Sequence, residues 1–179
     1  MDLLIRISRL IDALNDRLGV FANWLVLAAC LISAGNAMSR YAFDLSSNAW
    51  LEIQWYLFAA IVMLGASYTL KANEHVRVDI IYTHLSERGK EWLDLVGTVV
   101  FLVPSMFVIS WYSWPFFMQS WSIGEISGNA GGLIRYPVKF LVPLGFALVG
   151  LQGISEAIKR AAALRGDVRY VTRYERPLQ

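Results

Sequence analysis

Cysteine occurs once in this chain, histidine twice, and charge not at all over four long stretches. Each scarcity removes a class of function. A single thiol, Cys30, cannot form an intrachain disulfide, and it excludes thiol oxidases that work through cysteine pairs. His75 and His84 both fall in one segment between apolar runs. A haem-binding membrane anchor needs histidines on facing membrane helices, and neither stands there. Two lone imidazoles also lack a convincing third metal ligand. Phosphate-loop and dinucleotide glycine patterns are missing. No repeat of roughly 20–50 residues is visible, which argues against an inverted-repeat transporter core. No catalytic residue, cofactor or metal ligand is therefore assigned, and no nucleic-acid partner is expected.

What is present is apolar. The 179 residues are 56% hydrophobic with a mean hydropathy of +0.46, too apolar for an ordinary soluble domain. The charge-free runs are Leu18 to Ser39, Ile53 to Leu70, Leu95 to Gly124 and Phe140 to Ser155. The second holds 18 residues. As a helix it spans about 27 Å, which just fits a hydrocarbon core of roughly 30 Å. A carboxylate at mid-bilayer costs about 3 kcal/mol on insertion scales, so its absence argues against an ion site or proton relay. Thirteen of the sixteen cations precede the first run, lie between the second and third, or follow the fourth. That bias puts both termini and the middle loop in the cytoplasm. The expectation is an all-α integral membrane protein with four transmembrane helices and an N-terminal amphipathic interfacial helix, N-in and C-in.

Across residues 1–17 and on to the next, Leu3, Leu4, Ile7, Ile11, Leu14 and Leu18 recur at helical spacing, with Arg6, Arg9, Asp12, Asp16 and Arg17 on the other side. This predicts a helix lying in the cytoplasmic interface before the chain turns inward. A signal-peptide n-region competes but would not need the periodicity. Leu27-Ala28-Ala29-Cys30 matches a lipoprotein cleavage box. The long preceding region with Asp12 and Asp16, and the apolar residues after Cys30, speak against it, leaving a small buried or lipid-facing thiol.

The spans are expected near residues 20–40, 50–70, 92–117 and 137–158 of one membrane domain. An amphipathic cytoplasmic loop fills 71–90 and a cytoplasmic tail 161–179. Ala29, Ser33 and Ala37 form a small-residue stripe on the first span, and Gly150, Gly153 and Ala157 one on the fourth. Trp50, Trp55, Tyr56 and Tyr68 read as aromatic belts. Pro104 should kink the third span, and Pro137 suits the first turn of the fourth. Trp111, Tyr112, Trp114, Phe116, Phe117 and Trp121 exceed what a belt needs. They form either a deep anchor or a protein contact surface.

The charges that enter the apolar zone sit at its edges. Arg40 ends the first span and Glu52 begins the second, at one membrane face. An ion pair between them would fix that hairpin, whereas the alternative has each snorkelling to headgroups. His75, Arg77 and Asp79 alternate with Val76 and Val78 at the other face. They suit a local pair, a lipid phosphate or a partner helix.

At these two clusters the chain resembles the small membrane subunit of tripartite ATP-independent periplasmic (TRAP) transporters. The residues that carry the likeness are Arg40-Tyr41-Ala42-Phe43, Ser47 to Tyr56 with Trp50, Glu52 and Trp55, Leu64-Gly65-Ala66, and Glu74-His75-Val76-Arg77-Val78-Asp79. Arg135-Tyr136-Pro137 and Pro143-Leu144-Gly145 add to it. Gln54 stands where the family commonly has a second glutamate, which suggests a subgroup. The resemblance implies a non-catalytic subunit in the bacterial inner membrane. It would brace the static scaffold of a large, sodium-driven, multi-span permease subunit, fed with organic acids by a periplasmic substrate-binding protein. It also implies that Arg40, Tyr41, Trp50, Glu52, Trp55, Gly65, His75, Arg77 and Asp79 are contact residues toward the partner subunit or membrane lipids. The rival readings are a membrane anchor of a redox enzyme and a self-sufficient small transporter.

Overall fold

A computed structural model of the chain describes residues 2–45, 47–73 and 84–166. The cluster His75, Arg77 and Asp79 lies outside them. Among the described residues five α-helices follow one another: α1 Asp2–Phe43, α2 Asn48–Ala72, α3 Glu87–Val96, α4 Val103–Ser122 and α5 Tyr136–Arg165. A π-helical turn, Gly97–Leu102, joins α3 to α4, so these two make one span. The four resulting helices are long and apolar enough to cross a membrane. Each charge-free run lies along one of them, the third outrunning its helix by two residues.

The architecture is organised around α5, which packs against α1, α2, α3 and α4, while α1 and α2 also pack on each other. The interior is small and polar: Ala22, Ala29, Ala162, Ser8, Ser67, Ser155 and Gln152 are buried, and most large apolar side chains face outward. That is the inverse of a water-soluble core. It suits a solvent of hydrocarbon, where helices associate by close packing and hydrogen bonds.

Glycine sets two of the close approaches. A Cβ on Gly145 of α5 would lie 2.7 Å from Met63 Cβ and 2.9 Å from the Met63 carbonyl oxygen of α2. A Cβ on Gly153 would lie 2.5 Å from Leu102 Cδ2. Gly150 and Gly153 are both buried, so the small face of this helix receives α4 and the π turn. In the other stripe Ala29 is buried, whereas Ser33 and Ala37 face outward.

One expectation is corrected. The chain does not turn inward after an interfacial helix, because α1 is continuous over 42 residues. No proline interrupts it, and Gly19, the one strong helix breaker near that point, lies against the Tyr68 ring. Where a kink is expected, just before Pro104, the helix carries a π turn. The Val103 N–H reaches back five residues to the Thr98 carbonyl. The wider turn makes room for a ring that removes one N–H and crowds the carbonyl four residues earlier. Pro137 stands in the first turn of α5.

Candidate functional site

The polar side chains of the described bundle gather at its two ends, and each end forms a clamp between distant segments. The clamp at the face expected from the cation bias to be the outer one, called the outer clamp, centres on Glu52. On the second turn of α2, its carboxylate is held by the loop between α4 and α5. Asn129 Nδ2 donates to Oε1 at 2.7 Å and the Leu133 backbone N–H to Oε2 at 2.7 Å, and the Ser127 hydroxyl also donates to Oε1. Only 4% of Glu52 is exposed. The expected Arg40–Glu52 pair is not formed. Arg40 is exposed at the end of α1, without an ion-pair partner among the described residues.

The loop is shaped to present those donors. Ser127 N–H bonds the Leu133 carbonyl and Arg135 N–H the Glu125 carbonyl, each at 2.9 Å, across a bridge between Ile126 and Ile134. Gly131 takes φ +69, a left-handed conformation that glycine adopts without strain. A Cβ on Gly132 would lie 2.5 Å from Ser127 Cβ, so the chain can close here only without one. Asn48 at the start of α2 donates to the Ala130 carbonyl at 3.3 Å. Glu125 accepts from Lys139, and Arg135 stands 3.8 Å from its other oxygen. The Lys139 hydrogen bond and these two cations hold the Glu125 carboxyl below the usual carboxylate range.

The inner clamp joins the first turns of α1 to the last turns of α5. Gln152 is fully buried. Its oxygen accepts from Asn15 Nδ2 at 2.6 Å, and its nitrogen donates to Asp12 at 3.0 Å and to Glu156 at 2.9 Å. Ser155 donates to Asp12 at 2.8 Å and lies 2.8 Å from the Ser8 hydroxyl. Lys159 bridges the two carboxylates, 3.1 Å from Asp12 and 2.5 Å from Glu156. Beside this group Lys71 of α2 pairs with Asp16. Arg160 pairs with Glu91 at 3.1 Å and Asp94 at 2.6 Å, tying α3 to α5. Every helix except α4 is thus fastened at this end by charge.

The remaining expected contact residues are scattered. Tyr41, Trp50 and Trp55 are exposed on the outer half of α1 and α2. Gly65 faces Ala22 with ordinary contact, 3.9 Å from a Cβ placed on the glycine. The aromatic cluster divides. Phe117 stacks against Phe140 at 5.1 Å and Trp121 against Tyr136 at 4.7 Å, joining α4 to α5, while Trp111 and Tyr112 point outward. The inner clamp escaped sequence reasoning because its members are up to 147 residues apart. One signal was available: Asp12, Ser8 and Asn15 share a face of α1, and Gln152, Glu156 and Lys159 one of α5.

Comparison with known proteins agrees with this architecture. The chain matches the family described as tripartite ATP-independent periplasmic transporters, DctQ component, over residues 29–163. It is 28% identical over 134 residues to the ectoine TRAP transporter small permease protein TeaB of Halomonas elongata, covering 75% of this chain and 68% of that protein. It is 27% identical over 117 residues to the C4-dicarboxylate TRAP transporter small permease protein DctQ of Vibrio cholerae, covering 64% of this chain and 49% of that protein. No solved structure is significantly similar.

Proposed function

This chain belongs to the DctQ-component family of the tripartite ATP-independent periplasmic transporters, and from that premise we propose that it braces the large permease subunit of such a transporter. Membership makes it a small permease subunit and a multi-pass protein of the bacterial inner membrane. The bracing role rests on one observation: the buried charged groups of the described helices are satisfied within the chain itself, by one another or by neutral donors, at its two ends. A subunit that moved solute would need such groups turned toward a passage. Here they stiffen a scaffold whose outer surface is apolar and available to lipid or to another membrane protein.

In this reading the large subunit performs an elevator motion driven by a sodium gradient, and a periplasmic binding protein delivers an organic acid. The two relatives are named for ectoine and for C4-dicarboxylates, both small carboxylates, which suits that substrate class. The Ser8–Ser155 contact puts the start of α1 and the end of α5 at one face, and the cation bias supports reading that face as cytoplasmic. Arg40, Tyr41, Trp50 and Trp55 then lie toward the periplasm, placed to touch the partner subunit or lipid headgroups. The family assignment also speaks against the redox-anchor reading.

The test is reconstitution. Proteoliposomes receive the large permease encoded beside this chain, with and without this subunit, and sodium-driven uptake is measured with the cognate binding protein. Uptake should require both subunits, and this chain alone should give none. Flux from this chain alone, or full flux without it, would overturn the reading.

A further inference from the structure

Residues 2–17 are neutral as a sequence: Asp2, Asp12 and Asp16 balance Arg6, Arg9 and Arg17. The fold separates the two signs. Asp12 is held by Gln152, Ser155 and Lys159 of α5, and Asp16 by Lys71 of α2. Asp2, at the tip, stands outside these pairs. Arg6, Arg9 and Arg17 are all exposed, without ion-pair partners among the described residues. On a helix of about 3.6 residues per turn, Arg6, Ala13 and Arg17 fall within roughly 40° of one another. They lie opposite the buried Ser8, Asn15 and Gly19, with Arg9 to one side and the exposed Leu10 and Leu14 to the other. A neutral segment has become a cationic, partly apolar face.

That face meets the edge of the membrane. Ser155, which ends the fourth charge-free run, is bonded to Ser8 and Asp12. Lys71, just past the second run, pairs with Asp16. Asp94, just before the third, pairs with Arg160, about a turn beyond Ser155. The hydrocarbon edge therefore meets α1 between Ser8 and Asp16. Taken at Asp12, it leaves Leu10 and Leu14 within about 3 Å on either side. Arg9 and Arg6 then stand about 4.5 and 9 Å outside, and Arg17 about 7.5 Å inside. The headgroup layer is roughly 5–7 Å deep, so Arg9 lies in it and Arg6 at its rim. The N-terminus of α1 points toward that layer, and helical side chains lean toward the N-terminus, so Arg17 snorkels down to it. All three guanidinium groups reach one headgroup layer.

We propose that the outward face of α1 from Arg6 to Arg17 binds anionic phospholipid headgroups of the leaflet at this end of the bundle. Each guanidinium donates two parallel hydrogen bonds to phosphate oxygens, and the small Ala13 leaves the space between Arg9 and Arg17 open. A zwitterionic headgroup carries a cation of its own, which three unpaired arginines repel, so the face selects net negative charge. These residues precede 29–163, over which the chain matches its family, so membership does not imply the surface. The proposal stands apart from the bracing reading.

The full chain is stripped of lipid in detergent and titrated with phosphatidylglycerol or phosphatidylcholine of the same acyl chains, and bound lipid is counted by native mass spectrometry. Phosphatidylglycerol should be preferred. Each of Arg6→Gln, Arg9→Gln and Arg17→Gln should lower the preference about fivefold, and the triple variant should lose it. Glutamine at Arg169, Arg173 and Arg176 of the tail should leave it in place. Equal binding of the two lipids, or a preference that follows the tail, would overturn the proposal. A second measurement keeps the arginines. Ala13→Cys on a Cys30→Ser background takes a bimane label, in nanodiscs of equal phosphatidylglycerol and phosphatidylcholine with the large subunit present. Phosphatidylglycerol spin-labelled at its headgroup should quench the label more than the matching phosphatidylcholine. Equal quenching, or a label shielded from both lipids by the large subunit, would equally overturn it.

Discussion

Replacing Gln152 by leucine takes the centre out of the inner clamp while filling nearly the same volume. Asn15 then keeps a buried amide whose donor has lost its acceptor, at a cost of about 1 kcal/mol at the lower end of the usual range. Asp12 and Glu156 each lose one N–H donor but keep Lys159, so each loss also takes the low value for a charge-assisted bond, about 1.5 kcal/mol. Gln152→Leu should therefore destabilise the subunit by about 4 kcal/mol. Asn15→Leu orphans only the Gln152 oxygen, since Asn15 Oδ1 has no partner to lose, and should cost about 1 kcal/mol. In the double variant neither amide is orphaned and only the two donations to carboxylates are missing, about 3 kcal/mol. The two changes should fall short of additivity by about 2 kcal/mol. That is at the top of what membrane-protein cycles give, as expected where both side chains are fully buried. Unfolding in mixed micelles by denaturing detergent, followed by tryptophan fluorescence, measures all four corners. Additivity within about 0.5 kcal/mol would refute the direct Asn15–Gln152 contact and with it the account of how α1 is held.

Three further outcomes follow from other parts of the molecule. Gly145→Ala should lower the melting temperature, because the new methyl meets the Met63 backbone and overpacking costs about 1–3 kcal/mol against about 1 gained in helix propensity. Gly35→Ala, whose methyl meets nothing within 4 Å, should leave it level or raise it, and equal melting of the two variants would contradict the packing of α2 on α5. Glu52→Ala should speed amide exchange in residues 125–134, whereas Arg40→Ala should not, and the reverse order would restore the Arg40–Glu52 pair. Glu125 has its carboxyl held low by Lys139 and Arg135, so the folded loop binds fewer protons than the unfolded one. That contribution is present above the ordinary carboxylate range and is lost as pH falls through the lowered value. The protection factors of the loop amides, taken against the slower intrinsic exchange in acid, should fall on acidification, and Glu125→Gln should flatten that fall.

The set of spans is legible in the amino-acid order alone. A stretch of 16 to 30 uncharged residues has few fates, and each such run lies along one apolar helix or, in the third case, just outruns it. The partner of Glu52 is not legible. Arg40 is twelve residues away and lies at the same face, so proximity favours it. The actual donors are 75 to 81 residues away, on a loop whose Gly-rich composition reads only as flexibility. Two of them are a serine and an asparagine, residues without charge to attract notice, and the third is a backbone N–H. The N-terminal helix misleads for a different reason. Its periodicity is plain, but periodicity alone assigns the polar face to water and the apolar face to the bilayer. Beside a membrane either face can be the inner one, and the choice is settled by what α5 offers at the same height.

The same reasoning explains why charge gathers at the ends of this bundle. Between the ends, lipid is as apolar as the leucines it touches, so helices cannot be sorted by hydrophobic burial and close contact must do it. Gly145, Gly150 and Gly153 on α5 supply that contact. Small-residue contacts fix distance but tolerate sliding, because one turn of helix resembles the next. A carboxylate with defined donors does not tolerate it: a shift of one turn, about 5.4 Å, would strand Asp12 from Lys159 and Glu52 from Leu133. One clamp at each end, α1 to α5 inside and α2 to the outer loop outside, therefore sets the register of three helices with groups that never face mid-bilayer. Helix α4 is the exception. It is fixed by α5, the π turn and aromatic contacts at its outer end, and most of its apolar surface faces outward. If the bundle is a brace, α4 is where a partner could press without disturbing either clamp.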